Sequence, residues 1–387
     1  MTSARVNTFY RKFECLGGAC PASCCKGWNV PVDDETWRYY KSLPGILGTR
    51  LRLSQMTRPE PVFALGYKDC EYHDRDGLCR LQKELGIKGI PEVCRRYPRL
   101  FENMGEYTAG WLDLSCIHAA TLFLSETERM GFTEEIGDAP EVRPSGNNED
   151  GDFLACLEQV REGMIRLLED AIEKGSMESA GKALLFIPRF SYAAQNACIR
   201  GDYGLLLRPM EELAQELPAY EGEAEGYLPC AFSFVDGLFH CFYNSALKKQ
   251  SPHLYALCQF YLAEYGGQAA EKNEKKHEGL IRAYMEEVPD ALAHYLRYIE
   301  YSLCQYCFSI YEDYSFTRWM LRGIVDGSLI LELMALSRKK EGRDLTSLEK
   351  AHVIAVAERR ARHNPGTFKR MGKAGQDYFY GECGKEY

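Results

Sequence analysis

Several absences narrow this 387-residue chain before anything present does. No stretch of about 18 uncharged apolar residues stands together, so no membrane-spanning helix is expected. Met1-Thr2-Ser3-Ala4-Arg5-Val6-Asn7 leads into no apolar run of signal-peptide type, and the expected location is cytoplasmic. Positive charge is not in excess: 47 Lys and Arg face 56 Asp and Glu, a formal net charge of −9. That balance argues against a protein held on nucleic acid or on a membrane surface by bulk electrostatics and suits a basic partner better. A glycine-rich strand-to-helix turn is also missing. Gly17-Gly18 lies inside a cysteine run and Gly266-Gly267 follows a helical pattern, so no Rossmann-type nucleotide site is expected.

What is present fits a globular chain. Hydrophobic residues make up 45% and charged residues 27%, enough apolar surface for a real core, and the length suggests two domains or one large helical body. Sixteen cysteines are many for a reducing compartment, where a disulfide framework is not expected. Eight of them (Cys15, Cys20, Cys24, Cys25, Cys70, Cys79, Cys94, Cys116) fall in residues 1–125, which carry 17 basic and 14 acidic residues against 30 and 42 in the rest. Residues 126–152 hold nine acidic and two basic residues with Pro140, Pro144 and Ser145-Gly146-Asn147-Asn148, a turn-rich stretch without sustained apolar period. The expected organisation is a cysteine-rich metal-binding module (1–125), an acidic connector (126–152) and a helical domain (153–387).

The expected fold class is therefore mainly α, a loop-rich N-terminal module followed by an all-helical domain. Phe153, Leu157, Val160, Met164, Leu168 and Ile172 recur at three and four, with Asp152 to start that helix and Gly175 to end it. Further helices are expected near 179–187, 209–217, 230–248, 252–265, 278–308, 313–338 and 346–363. Pro188, Pro218, Pro252 and Pro289 are read as breaks or first-turn residues, and Thr346-Ser347-Leu348-Glu349 has capping-box spacing. In the N-terminal module Trp28–Val32 is strand-like, a helix starting at Asp33 or Asp34 runs to Leu43, and Leu78–Leu85 is a short helix. Such a region buries little apolar surface for its length, so something else must hold it.

Metal is the favoured candidate. Four cysteines within eleven residues (Cys15, Cys20, Cys24, Cys25), small residues between them, let the backbone curl so that several thiolates face one point, as zinc sites and iron–sulfur clusters need. Arg95, Arg96, Arg99 and Lys26 would favour thiolates and offset their charge. Inert buried thiols are the plainer alternative, but chance burial does not produce an adjacent pair after two more cysteines. Zinc and iron–sulfur both fit the spacing, and the scarcity of imidazole, with only His73 and His118 nearby, tips the choice toward iron–sulfur. Radical S-adenosylmethionine spacing fails, because Cys20-x3-Cys24 is followed by Gly27 where a third cysteine would stand.

The run Cys15-x4-Cys20-x3-Cys24-Cys25-x-Gly27-Trp28, then Cys70…Gly77-Leu78-Cys79-x-Leu81-Gln82, Pro91-x2-Cys94-x2-Tyr97-Pro98-Arg99 and Leu114-Ser115-Cys116 resembles the flagellin lysine-N-methylase family. It is also similar to a wider group of cysteine-cluster domains described as zinc- or iron-chelating. The resemblance covers about the first third of the chain. It implies transfer of methyl groups from S-adenosylmethionine to lysine ε-amines of flagellin, with an iron–sulfur cluster associated with the enzyme. A non-catalytic zinc or iron–sulfur module for metal handling or electron transfer is the alternative that the cysteines alone would allow.

Catalytic residues are not identified by the sequence. Lysine must lose a proton before it attacks a methyl group, and the donor needs a partner for its carboxylate, for which Arg95, Arg96 and Arg99 are the candidates. Tyr295, Tyr298, Tyr301, Tyr306, Tyr311 and Tyr314 read as a packing stripe, with an aromatic cage for lysine as the alternative. Cys304 and Cys307, like Cys156, Cys198, Cys230, Cys241, Cys258 and Cys383, read as structural.

Overall fold

A computed structural model describes residues 2–25, 30–55, 61–63, 70–104, 107–140, 142, 151–201, 203–216, 231–245 and 247–383. The N-terminal part mixes short strands β1 (Thr2–Val6), β2 (Val30–Pro31), β3 (Val62–Phe63), β4 (Arg99–Asn103), β5 (Thr108–Leu112) and β6 (Glu134–Ala139) with helices α1 (Asp34–Ser42), α2 (Gly45–Gln55), α3 (Arg80–Leu85), α4 (Glu92–Arg96) and α5 (Ile117–Leu124). From residue 151 onward the α-helices are α6 (Gly151–Lys174), α7 (Met177–Arg200), α8 (Met210–Glu216), α9 (Phe232–Phe242), α10 (Leu247–Gln250), α11 (Pro252–Tyr265), α12 (Ala270–Glu287), α13 (Ala291–Tyr306), α14 (Ile310–Asp313), α15 (Phe316–Met320), α16 (Arg322–Glu341), α17 (Ser347–Arg362) and α18 (Pro365–Cys383). The fold is mainly helical, as the periodicity implies. Among the described residues no helix is long and apolar enough to cross a membrane.

The helix signals act as the residues dictate. Phe153, Leu157, Val160, Met164 and Leu168 are buried along one face of α6, and Gly175 takes φ +59° just past its end. Thr346 accepts from the Glu349 backbone while the Glu349 carboxylate accepts from that of Thr346, a complete capping box on α17. Pro252 opens α11. Pro188 does not break its helix: it is buried inside α7, where apolar packing outweighs the one intrahelical bond a missing N–H costs. The helix expected over 278–308 is two, separated at Val288-Pro289-Asp290, where Asp290 takes φ +61°. Pro218 and Trp28 lie outside the described residues, and α18 extends beyond the last helix expected.

One element is new relative to the sequence reading. Four strands form a sheet in the order β4-β5-β1-β6, with β1 parallel to β5 and antiparallel to β6. Ala4 and Val6 alternate inward along β1, the period-two pattern of a one-sided strand, while all of β5 is buried. The stretch read as a connector thus carries a strand, because an edge position needs only Ile136 and Ala139 toward the core and leaves Glu135 to solvent while Glu134 pairs with Arg11.

Two apolar clusters result. The large one runs from Val6, Phe9 and Phe13 through Trp111 and Phe123 to the helices and Phe379. The small one gathers Val30, Val32, Tyr40, Leu51, Phe63, Tyr72, Leu81 and Ile90 around Cys70. At the centre of the large cluster α16 is buried from Arg322 to Ser337 and crosses α13 so closely that a Cβ on Gly323 would stand 2.9 Å from the Ile299 Cα and the Ser302 Cβ. Backbone cannot yield as a flexible side chain does, so Gly323→Ala is expected to lower stability by about 1–3 kcal/mol in chemical denaturation.

Candidate functional site

Glycine brings the cysteine loops together. Gly17 turns the first loop at φ +55°, and Gly18 lies so close to the 76–78 turn that an added Cβ would sit 3.2 Å from the Asp76 carbonyl. Gly77, at φ +80°, faces Gly18 in return. The Cys70 amide donates to the Cys25 carbonyl at 2.8 Å, closing the first loop on the 70–79 hairpin, and His73 pairs with Cys79 across that hairpin. Cys79 precedes α3, Cys94 sits within α4, and Cys116 precedes α5.

The outcome is one cavity of about 150 Å³ whose wall includes all eight cysteines of the first 125 residues, together with His118 and Arg359. The thiols act on one another. Cys24 is held well above its ordinary pKa by a hydrogen bond with Cys25, then by burial and by Cys94 and Cys15 nearby. Burial pushes Cys70 up to about 12 and raises Cys94, with Cys25 and Cys79 adding to both. Burial also raises Cys79 and Cys116, opposed by backbone N–H groups of Gln82 and Leu81 for the first and of Ala119 and His118 for the second. Burial thus favours the neutral thiols, and a bound cation would invert that preference. Among the described residues no three His, Cys, Asp or Glu side chains already stand at the spacing that grips a single metal ion.

The three candidate arginines are engaged around this cavity and are not part of its wall. Arg95 donates to the Ile90 carbonyl at 2.8 Å, Arg96 pairs with Glu92, and Arg99 donates to the Phe13 carbonyl at 2.9 Å while lying over the Phe13 and Tyr10 rings. The tyrosine stripe is packing: Tyr295 bonds Ser328, Tyr301 donates to the Leu112 carbonyl, Tyr306 stacks on Trp319, and Tyr311 and Tyr314 stack on Phe153. Cys156, Cys258, Cys304 and Cys307 are buried away from the cavity, and Cys307 donates to the Leu157 carbonyl. Cys230 and the Cys383 side chain lie outside what is described.

What faces the cysteines comes from the far end of the chain and has no motif of its own. Arg359, on α17, donates from Nε to the Ser115 carbonyl at 2.8 Å and from Nη2 to the Ala22 carbonyl at 3.1 Å, tying α17 to two cysteine loops at once. A second cavity of about 320 Å³ shares Ala22, Ser23, Tyr97 and Arg359 with the first. Behind it runs a polar chain in which Tyr97 bonds Ser115 at 2.9 Å, Ser115 bonds His363 Nε2 at 3.0 Å, and His363 Nε2 lies 3.2 Å from Asp113. Burial alone would raise the Asp113 carboxyl, but Arg362 and His363 hold it well below the usual range. Glu358, buried on the same helix, is pushed up to about 7 by desolvation, against the pull of Arg362. No local signal marks Arg359, which sits in an ordinary basic helix end, Arg359-Arg360-Ala361-Arg362.

Comparison with known proteins adds an independent observation. The chain is 29% identical over 137 residues to the lysine-N-methylases of Salmonella typhimurium and Salmonella choleraesuis, and to the flagellar biosynthetic protein FliU of Salmonella muenchen. These matches support the flagellin lysine methylase family. They cover 33% of this chain, 34% of each of the two methylases and 80% of the FliU protein, so the alignment spans about a third of the two methylases' length. No family model matches the chain, and no solved structure matches it.

Proposed function

We propose that this chain is an S-adenosylmethionine-dependent protein-lysine N-methyltransferase acting on flagellin, with an iron–sulfur cluster, or alternatively zinc, held in the thiol-lined cavity. The observation that carries the reading is the convergence of eight cysteines on one cavity in a chain related to proteins named as lysine-N-methylases. The donor set fits such a group: thiol sulfur predominates, with a single imidazole, His118, on the wall, and soft thiolate ligands select zinc or iron–sulfur centres. Cys24, Cys25, Cys70, Cys79 and Cys94 neighbour one another and would hold it, with Cys20 and Cys116 a second neighbouring pair. Bound there, such a centre supplies a Lewis-acidic, thiolate-held cation.

The chain's own residues supply the rest. The protein positions a deprotonated amine in line with the donor methyl, and alignment of that kind lowers a barrier by about 7–11 kcal/mol. Incubating anaerobically purified protein with methyl-labelled S-adenosylmethionine and flagellin should yield labelled methyl-lysine and one S-adenosylhomocysteine per methyl without added reductant. Absence of label in flagellin would refute the activity. A strict need for reductant with release of 5′-deoxyadenosine would refute direct displacement.

A further inference from the structure

We infer that the 320 Å³ cavity beside the cysteines is a carboxylate site, and that Arg359 within it receives the α-carboxylate of the methyl donor; the inference rests on the methyltransferase reading. Five cationic or protonatable side chains line this cavity, Arg359, Arg360, His253, His352 and His363, and among the described residues no Asp or Glu does. Its fixed charges are the two guanidiniums, since burial lowers His352 toward its neutral form, and a recess walled by fixed charge of one sign focuses its field on a small ion of the opposite sign.

Arg359 is the residue placed to use that field. Its guanidinium is fixed by the Ser115 and Ala22 carbonyls, which occupy two of its five N–H donors, and among the described residues the remaining donors have no acceptor. A fork already held in place loses little freedom when it pairs with a carboxylate, and such pairs are planar and bidentate. Arg360, which donates to the Phe242 carbonyl at 3.0 Å, adds charge from the same helix.

Position selects the donor over other carboxylates. Arg359 and Tyr97 belong to both cavity walls, so a carboxylate bound at Arg359 lies beside the thiol cavity, and in the donor only three carbons separate the carboxylate from the sulfonium. A third cavity of about 480 Å³ shares Pro21, His253 and His352 with it, and its wall carries Lys340, Glu341 and Glu349 beside Leu257, Leu345 and Val353.

Calorimetric titration of the full-length protein tests this with S-adenosylhomocysteine and with its decarboxylated analogue. On the wild type the carboxylate should strengthen binding by roughly 10- to 100-fold, the worth of a charged hydrogen bond. In Arg359→Gln the affinity for S-adenosylhomocysteine should fall by that factor while the analogue's is unchanged. Equal affinity of the two ligands for the wild type overturns the carboxylate site, and that measurement does not depend on the variant folding. Discrimination surviving in a folded Arg359→Gln overturns the role of Arg359. Failure of the wild type to bind either ligand overturns the methyltransferase reading itself.

Discussion

Replacing Cys25 with serine is expected to remove most of the bound metal and to loosen the segment between residues 30 and 94. Cys25 stands at the hub of the cavity: its carbonyl receives the Cys70 amide, its thiol bonds Cys24, and it neighbours Cys70, Cys79 and Cys94. Among the described residues the apolar cluster of that segment holds nine buried residues, and on the proposed reading coordination would add to what that core supplies. Structural metal coordination contributes on the order of 10 kcal/mol to folding in small modules, as much as the whole stability of many domains. Cys258→Ala, by contrast, should leave metal content unchanged, since Cys258 is buried on α11 away from the cavity. Iron, sulfide and zinc analysis on anaerobically isolated protein, with limited proteolysis of the 30–94 segment, reads both effects. Undiminished metal in Cys25→Ser, or equal loss in Cys258→Ala, would refute the assignment, and stoichiometric zinc without sulfide would exclude the iron–sulfur centre while leaving the cavity's role intact.

The cysteine cavity is legible in the sequence because its parts are local. Four cysteines in eleven residues, with Gly17 and Gly18 between them and Gly77 in the partner loop, already say that these loops curl tightly and approach closely. The helices are legible for the same reason: a buried face is written every three or four residues, and a capping box is four residues long. The sheet is not, because β1 pairs with β5, about a hundred residues on, and each strand is too short to show a period of its own. Arg359 is hidden more deeply. It bonds a carbonyl 244 positions away, and only the packing of α17 on α5 turns an ordinary basic helix end into the wall of two cavities. Pro188 is the converse case, a strong local stop signal overridden because its surroundings in α7 are buried.

Two buried carboxylates that face Arg362 should respond to pH in opposite directions. Asp113 is ionised in the fold and held low by Arg362 and His363 against its own burial. A depressed folded pKa contributes stability that is present above the unfolded value and lost as pH falls through the acid range. Asp113→Asn keeps the Oδ1 acceptor that the Ser115 amide uses but leaves Arg362 buried without its counter-charge, and a broken buried pair costs about 3–5 kcal/mol. Glu358 is the reverse. Desolvation raises it from an ordinary 4.5 to about 7, so the folded state takes up its proton first, and the stability this confers is full below about pH 4.5 and is lost as pH rises toward 7. Glu358→Gln mimics the protonated form, which can still accept from Tyr298. Chemical denaturation of wild type and variant at pH 5 and pH 8 isolates this group, because the half-buried histidines His294 and His352 titrate alike in both proteins. The wild type should lose about 2.5 kcal/mol more than Glu358→Gln on going from the lower pH to the higher. A parallel loss in the two proteins would show that Glu358 is ionised in the fold and that Arg362 serves both carboxylates rather than Asp113 first.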